Sequence, residues 1–139
     1  MVPGKASGVA LVGTEPLSFW GGYDQNTGEI IDRRHELSGS CARGRVLAIP
    51  GTRGSSTTTA VLLEAVRQKT APAALLTIGV DAFLALASVV AEELYGHVLP
   101  VVALTVSDFA RLRNGQYLRI TVEGEIYAVE SLRKSDPET

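Results

Sequence analysis

An α/β fold with a parallel βαβαβ core follows from three observations. Residues 45–49 (RVLAI), 73–78 (AALLTI) and 99–104 (LPVVAL) are short, nearly continuous apolar runs, as expected of strands covered on both faces. Two stretches with helical spacing separate them, and such alternation argues for parallel strands joined by right-handed crossovers. Beyond them, residues 117–122 (YLRITV) alternate apolar and polar side chains, and Glu123-Gly124 turns the chain back into residues 125–129, a terminal β-hairpin.

The 139 residues suit one domain, and 45% hydrophobic with 20% charged residues is ordinary for a folded, cored chain. Neither internal repeats nor a separating linker is present. Residues 1–132 are therefore expected to form a single domain and residues 133–139, polar and containing Pro137, a frayed tail. A net charge of -2 with both signs interspersed provides no basic field for nucleic acid. The N-terminus lacks a charged segment followed by a long apolar run, and the most apolar stretch, residues 83–90, soon meets Glu92-Glu93. The expectation is a soluble, cytoplasmic protein that avoids membranes. Cys41, the single cysteine, can form neither an internal disulfide nor, by itself, a closed metal site.

In chain order, residues 5–12 (KASGVALV) read as a strand, closed by Gly13 and the Glu15-Pro16 break and expected at a sheet edge or in a barrel. Residues 17–35 mix aromatics, paired glycines and carboxylates without sustained periodicity, so a long loop or irregular hairpin is expected. Long loops in compact domains are more often functional than idle, which singles out Phe19, Trp20, Gly21, Gly22 and Asp24. Alternatively, Phe19 and Trp20 cap the core. Residues 38–44 form a turn region, and Pro50 stops the strand at 45–49. Residues 60–68 place Leu62, Ala65 and Val66 on one helical face and Glu64, Arg67 and Gln68 on another. Asp81 can cap a second helix, in which Phe83, Leu86, Ala87, Val90 and Leu94 repeat at helical spacing and which Tyr95-Gly96-His97 ends. Ser107 or Asp108 can cap a short helical turn through Leu112, and residues 113–116 turn into the hairpin.

Residues 51–59 (GTRGSSTTT) carry the chemistry. Two glycines allow sharp turns, Arg53 brings a fixed positive charge, and five consecutive hydroxyl residues stand where a helix begins. A helix N-terminus offers unpaired N–H groups and a positive dipole end to an anion. A P-loop would need lysine after its last glycine, but Ser55 follows Gly54, and the Gly-x-Ser-x-Gly elbow is absent. His35 and His97 lack a local arrangement implying a triad, and neither is assigned a role. Ser55 can serve as an acid–base or nucleophilic hydroxyl whose anion is stabilised by backbone N–H groups and Arg53. Since Ser and Thr are preferred helix caps, the residue pattern alone favours a capping role over a catalytic one.

Residues 15–24 (EPLSFWGGYD), 27–32 (TGEIID), 44–56 (GRVLAIPGTRGSS), 71–74 (APAA) and 92–96 (EELYG) resemble the small subunit, or swivel domain, of the aconitase X family. The resemblance runs over about residues 4–129. It implies a swivelling β/β/α domain, like the mobile domain of aconitase, working with a large subunit or fused large domain that carries an iron or iron–sulfur centre. No cofactor is then expected on this chain alone. The implied reactions are dehydrations of small hydroxy acids, of cis-3-hydroxy-L-proline to a pyrroline carboxylate in bacterial members and of phosphomevalonate in archaeal ones. The family's catalytic serine matches Ser55, as proton acceptor at the substrate carbon, while the partner's metal acts on the departing hydroxyl. Arg53, Gly54, Ser56, Trp20, Gly22 and Asp24 are the expected supporting or substrate-binding residues. The runs at 19–22 and 53–58 are closer to the hydroxyproline type. A non-catalytic anion-binding or regulatory module of the same fold is the alternative of another class.

Overall fold

A computed structural model of the chain describes residues 3–53 and 57–129. In order, the elements are β1 (Ala6–Val12), β2 (Val46–Ala48), α1 (Thr57–Gln68), β3 (Ala74–Ile78), α2 (Ala82–Tyr95), β4 (Val101–Leu104), α3 (Val106–Ala110), β5 (Tyr117–Ile120) and β6 (Ile126–Ala128). They build one six-stranded sheet of order β4-β3-β2-β1-β5-β6. β1 to β4 run parallel, and β5 and β6 add antiparallel pairs. The α/β class, the βαβαβ unit and the terminal hairpin all match the expectation.

The register explains why the parallel strands are largely apolar. Leu11, Leu47, Leu75 and Val101 lie opposite one another across β1 to β4 and pack with α1, α2 and the irregular segment 17–42. Val12, Ala48, Leu76 and Val102 form the next row and face the other way, toward a second core that includes Phe109, Leu118 and Ile120. Successive residues of a strand point to opposite faces, so two covered faces require both sets to be apolar. The hairpin alternates because only the Leu118 and Ile120 side is buried.

Three expectations need correction. β1 is an interior strand, neither an edge nor part of a barrel. Its residues Ala6 to Val9 pair with β5 and Ala10 to Val12 with β2, so it carries the change from antiparallel to parallel pairing. The stripe chosen for α2 is also displaced. The buried residues are Leu84, Ala87, Ser88 and Ala91, whereas Phe83, Leu86 and Leu94 are 37%, 51% and 62% exposed. The helix is apolar on most of its circumference, so composition could not distinguish its faces; Ser88 sits inside because its hydroxyl donates to the Leu99 carbonyl. Finally, Thr105 caps α3 in place of Ser107 or Asp108: its backbone is extended, and its hydroxyl accepts from the Asp108 N–H at 3.1 Å.

Asp81 and Gly96 bound α2 as expected. Asp81 accepts from the N–H groups of Phe83 and Leu84, and Gly96 adopts the left-handed conformation, φ 66°, that closes a helix without a Cβ clash. Among the described residues, no helix is long and apolar enough to cross a membrane. The proposed frayed tail, residues 133–139, lies outside the described residues.

Candidate functional site

The chain leaving β2 is held on three sides at the C-terminal end of the parallel strands. The Ile78 N–H donates to the Pro50 carbonyl at 3.1 Å. Leu17 and Thr52 form a parallel bridge, in which Leu17 N–H donates to Gly51 O and Arg53 N–H to Leu17 O, both at 3.1 Å. The third tie is Asp81. Its Oδ2 accepts from the backbone N–H and the hydroxyl of Thr52, each at 2.8 Å, while its Oδ1 caps α2 at 3.1 and 3.2 Å. One carboxylate therefore fixes the entrance of the loop to the first turn of α2. Thr59, in the first turn of α1, donates to the Phe83 carbonyl at 3.4 Å and brings the two helix starts together.

Gly54, Ser55 and Ser56 lie outside the described residues. On either side, Arg53 is exposed and α1 begins at Thr57, so Thr57, Thr58 and Thr59 are the helix-opening residues. Arg53 faces an open cleft of about 360 Å³, shared with Glu15, Pro16, Asp32, Arg33, Arg34 and His35. The turn carrying these residues is tightly specified. His35 is buried, its Nδ1 accepts from the Leu37 N–H at 3.1 Å, and Nε2 lies 3.0 Å from the Glu15 carbonyl. Nδ1 thus carries no proton and Nε2–H is the donor. Both ring nitrogens serve structure, which agrees with assigning His35 no catalytic role. Thr14 donates through both its hydroxyl and its N–H to Glu36, and these bonds hold the Glu36 carboxyl below the usual carboxylate range.

The other predicted positions separate. Phe19 is fully buried, stacked on Tyr23 with ring centroids 5.1 Å apart, and is therefore core. Trp20 is 69% exposed. Gly22 is required by close approach, since a Cβ there would lie 2.2 Å from the Ser18 carbonyl oxygen. Asp24 builds its own turn: Oδ1 accepts from the Asn26 N–H at 2.8 Å, and its carbonyl accepts from Thr27 and Gly28. Asp24 does not line the Arg53 cleft. The residues that sequence reasoning missed are Arg33 and Arg34, which come to the cleft by tertiary folding, and Asp81 in its second role. The Asp81–Thr52 contact spans 29 residues and leaves no local pattern.

A parallel core widened by an antiparallel hairpin, with Arg53 on the chain between β2 and α1, defines an open-sheet α/β domain. A holo-form aconitase X from Thermococcus kodakaraensis superposes with a TM-score of 0.83 at 28% identity, covering 93% of each chain. The model of the aconitase X swivel domain matches residues 1–129, and the chain belongs to that family. A cis-3-hydroxy-L-proline dehydratase of Pseudomonas aeruginosa is 52% identical over 104 residues, 75% of this chain but 18% of that protein. A phosphomevalonate dehydratase small subunit of Pyrococcus furiosus is 32% identical over 136 residues, 98% of this chain and 94% of that one. The chain thus spans about a fifth of the length of the hydroxyproline dehydratases it matches.

Proposed function

We propose that this chain is the small subunit of a hydro-lyase that dehydrates a small hydroxy acid, cis-3-hydroxy-L-proline before others. The 52% identity to the Pseudomonas dehydratase carries the reading. Ser55 is the proton acceptor: it takes the proton from the carbon next to the carboxylate, the C–H electron pair becomes the new C=C bond as the C–O bond breaks, and the departing hydroxide with the proton taken by Ser55 accounts for the one water lost. A serine alkoxide needs stabilisation, and the reading assigns that task to Arg53 and the first N–H groups of α1, with Gly54 and Ser56 completing the loop. The Asp81–Thr52 contact supports it by restraining the loop's entrance. Trp20 stands exposed for a partner or substrate, whereas Gly22 and Asp24 act through the shape of the loop beneath.

Among the described residues no three of His, Cys, Asp and Glu are grouped to hold a metal ion, and Cys41 is a lone exposed thiol. These side chains do not fit an iron or iron–sulfur centre, and no step of this chain is routed through one. The reading places that centre in a large subunit.

One observation favours a second substrate. Phosphomevalonate dehydratase small subunits are also similar to this chain, that of Pyrococcus furiosus at 32% identity over 98% of it. The test is co-expression with the presumptive large subunit and assay of both hydroxy acids. Turnover of cis-3-hydroxy-L-proline, abolished by Ser55→Ala in a chain that still folds, supports the reading. Turnover of phosphomevalonate alone selects the second substrate. Turnover of neither leaves a non-catalytic anion-binding or regulatory module.

A further inference from the structure

The Arg53 cleft contains more positive charge than the loop chemistry uses. Arg33, Arg34 and Arg53 line it together, and all three are exposed. The one ion pair among the described residues joins Arg67 to Glu64, so none of the three cleft guanidiniums is neutralised by a carboxylate there. The cleft's own carboxylates, Asp32 and Glu15, stand against three arginines and each uses one oxygen on backbone. Asp32 Oδ1 accepts from the Arg34 N–H at 3.0 Å, and Glu15 Oε1 accepts from the Glu36 N–H at 3.2 Å.

The turn that presents Arg33 and Arg34 is held from both ends. The His35 N–H donates to the Asp32 carbonyl and the Ser38 N–H to the His35 carbonyl, each at 3.0 Å, while the His35 ring ties Glu15 to Leu37. The Leu17–Thr52 bridge and Asp81 hold the backbone that leads into Arg53. Hydrogen-bonded backbone fixes where the three arginine side chains leave the chain, which lowers the entropy lost when an anion is gripped. Guanidinium is the group whose planar fork matches an oxyanion through two parallel hydrogen bonds. An open cleft of about 360 Å³ has room for a small acid.

We propose that this cleft is an anion subsite in which Arg33 and Arg34, together with Arg53, hold the oxyanion group of the small hydroxy acid. The assignment to substrate rests on the function proposed above; the assignment of an anion site rests on the cleft itself. Carboxylate and phosphate share the required chemistry, and the experiment separates them.

The full chain, labelled with ¹⁵N, is titrated with pyrrole-2-carboxylate and separately with inorganic phosphate. Saturable shifts are expected at residues 32–35 and 53, with apparent affinity falling roughly ten- to a hundredfold in the R33Q/R34Q double variant, the loss typical of hydrogen bonds to charged groups. Unmoved resonances, or the same response in the double variant, would overturn the site. In the complex with the large subunit, R33Q and R34Q are expected to raise KM by a similar factor while kcat stays within about threefold, and R34K is expected to recover part of the loss. A KM effect confined to hydroxyproline assigns the cleft to its carboxylate, and one confined to phosphomevalonate assigns it to the phosphate. Weakened subunit association at unchanged KM would make the arginines an intersubunit contact and defeat the substrate assignment. If the wild-type complex turns over neither acid, the functional reading fails while the titration still decides the anion site.

Discussion

Asp81 joins two tasks in one carboxylate, capping α2 and pinning Thr52. Asp81→Ala removes both and is expected to cost at least about 2 kcal/mol in urea unfolding. Thr52→Val removes only the hydroxyl contact and is expected to cost about 1 kcal/mol or less by the same measurement. Tyr23 makes a different prediction. Its hydroxyl donates to the buried Thr70 carbonyl at 2.7 Å, and burial, reinforced by the charge of Cys41, pushes its ionisation well above the ordinary 10.0. The folded state therefore retains a proton that the unfolded chain loses above pH 10, so this contribution is complete below that pH and declines as pH rises further. Melting temperatures followed from neutral to alkaline pH should show the decline, and Tyr23→Phe should flatten it while costing about 1 kcal/mol at neutral pH. Failure of Tyr23→Phe to alter the alkaline slope would assign the loss to another group.

Among the elements, α2 shows how a correct helix can be given a wrong face. Its ends were legible because Asp81 and Gly96 act within a few residues of themselves. Its orientation was not, because apolar side chains surround most of the axis and the favourable choice depends on α1, which packs against it, and on Leu99. Leu84→Ala should cost about 2–4 kcal/mol in the isolated chain by creating a buried cavity, whereas Leu86→Ala should cost less than about 0.5 kcal/mol. Equal destabilisation by the two variants in thermal melts would contradict the observed face. β1 teaches a similar lesson: it was expected at a sheet edge or in a barrel, yet its two halves are paired with different neighbours.

For the whole molecule, the proposed division of labour makes the chain inactive by itself. In that proposal the chain contributes Ser55 as base, and the Arg53 cleft lies at the C-terminal end of its parallel strands, where open α/β sheets generally place their ligands. Adding the large subunit should produce turnover, and Ser55→Ala should reduce kcat by at least about 10²-fold with unchanged circular dichroism, the scale of losing a positioned acid–base group. Turnover by the purified small chain alone would refute the division.

The sequence by itself determined the elements, their order, the α/β class and the loop between β2 and α1, because apolar period, caps and turn residues act over only a few positions. It also carried the family resemblance, through runs of adjacent residues such as 15–24 and 44–56. Only the tertiary structure decided that Phe19 is core while Trp20 is exposed, that Asp24 serves a turn, and that Asp81 holds Thr52. It alone brought Arg33 and Arg34 into one cleft with Arg53. The Asp81–Thr52 tie and the meeting of Arg33 and Arg34 with Arg53 join positions about 20 to 30 apart, where no local periodicity reaches, and are chosen by the packing of two cores on one sheet.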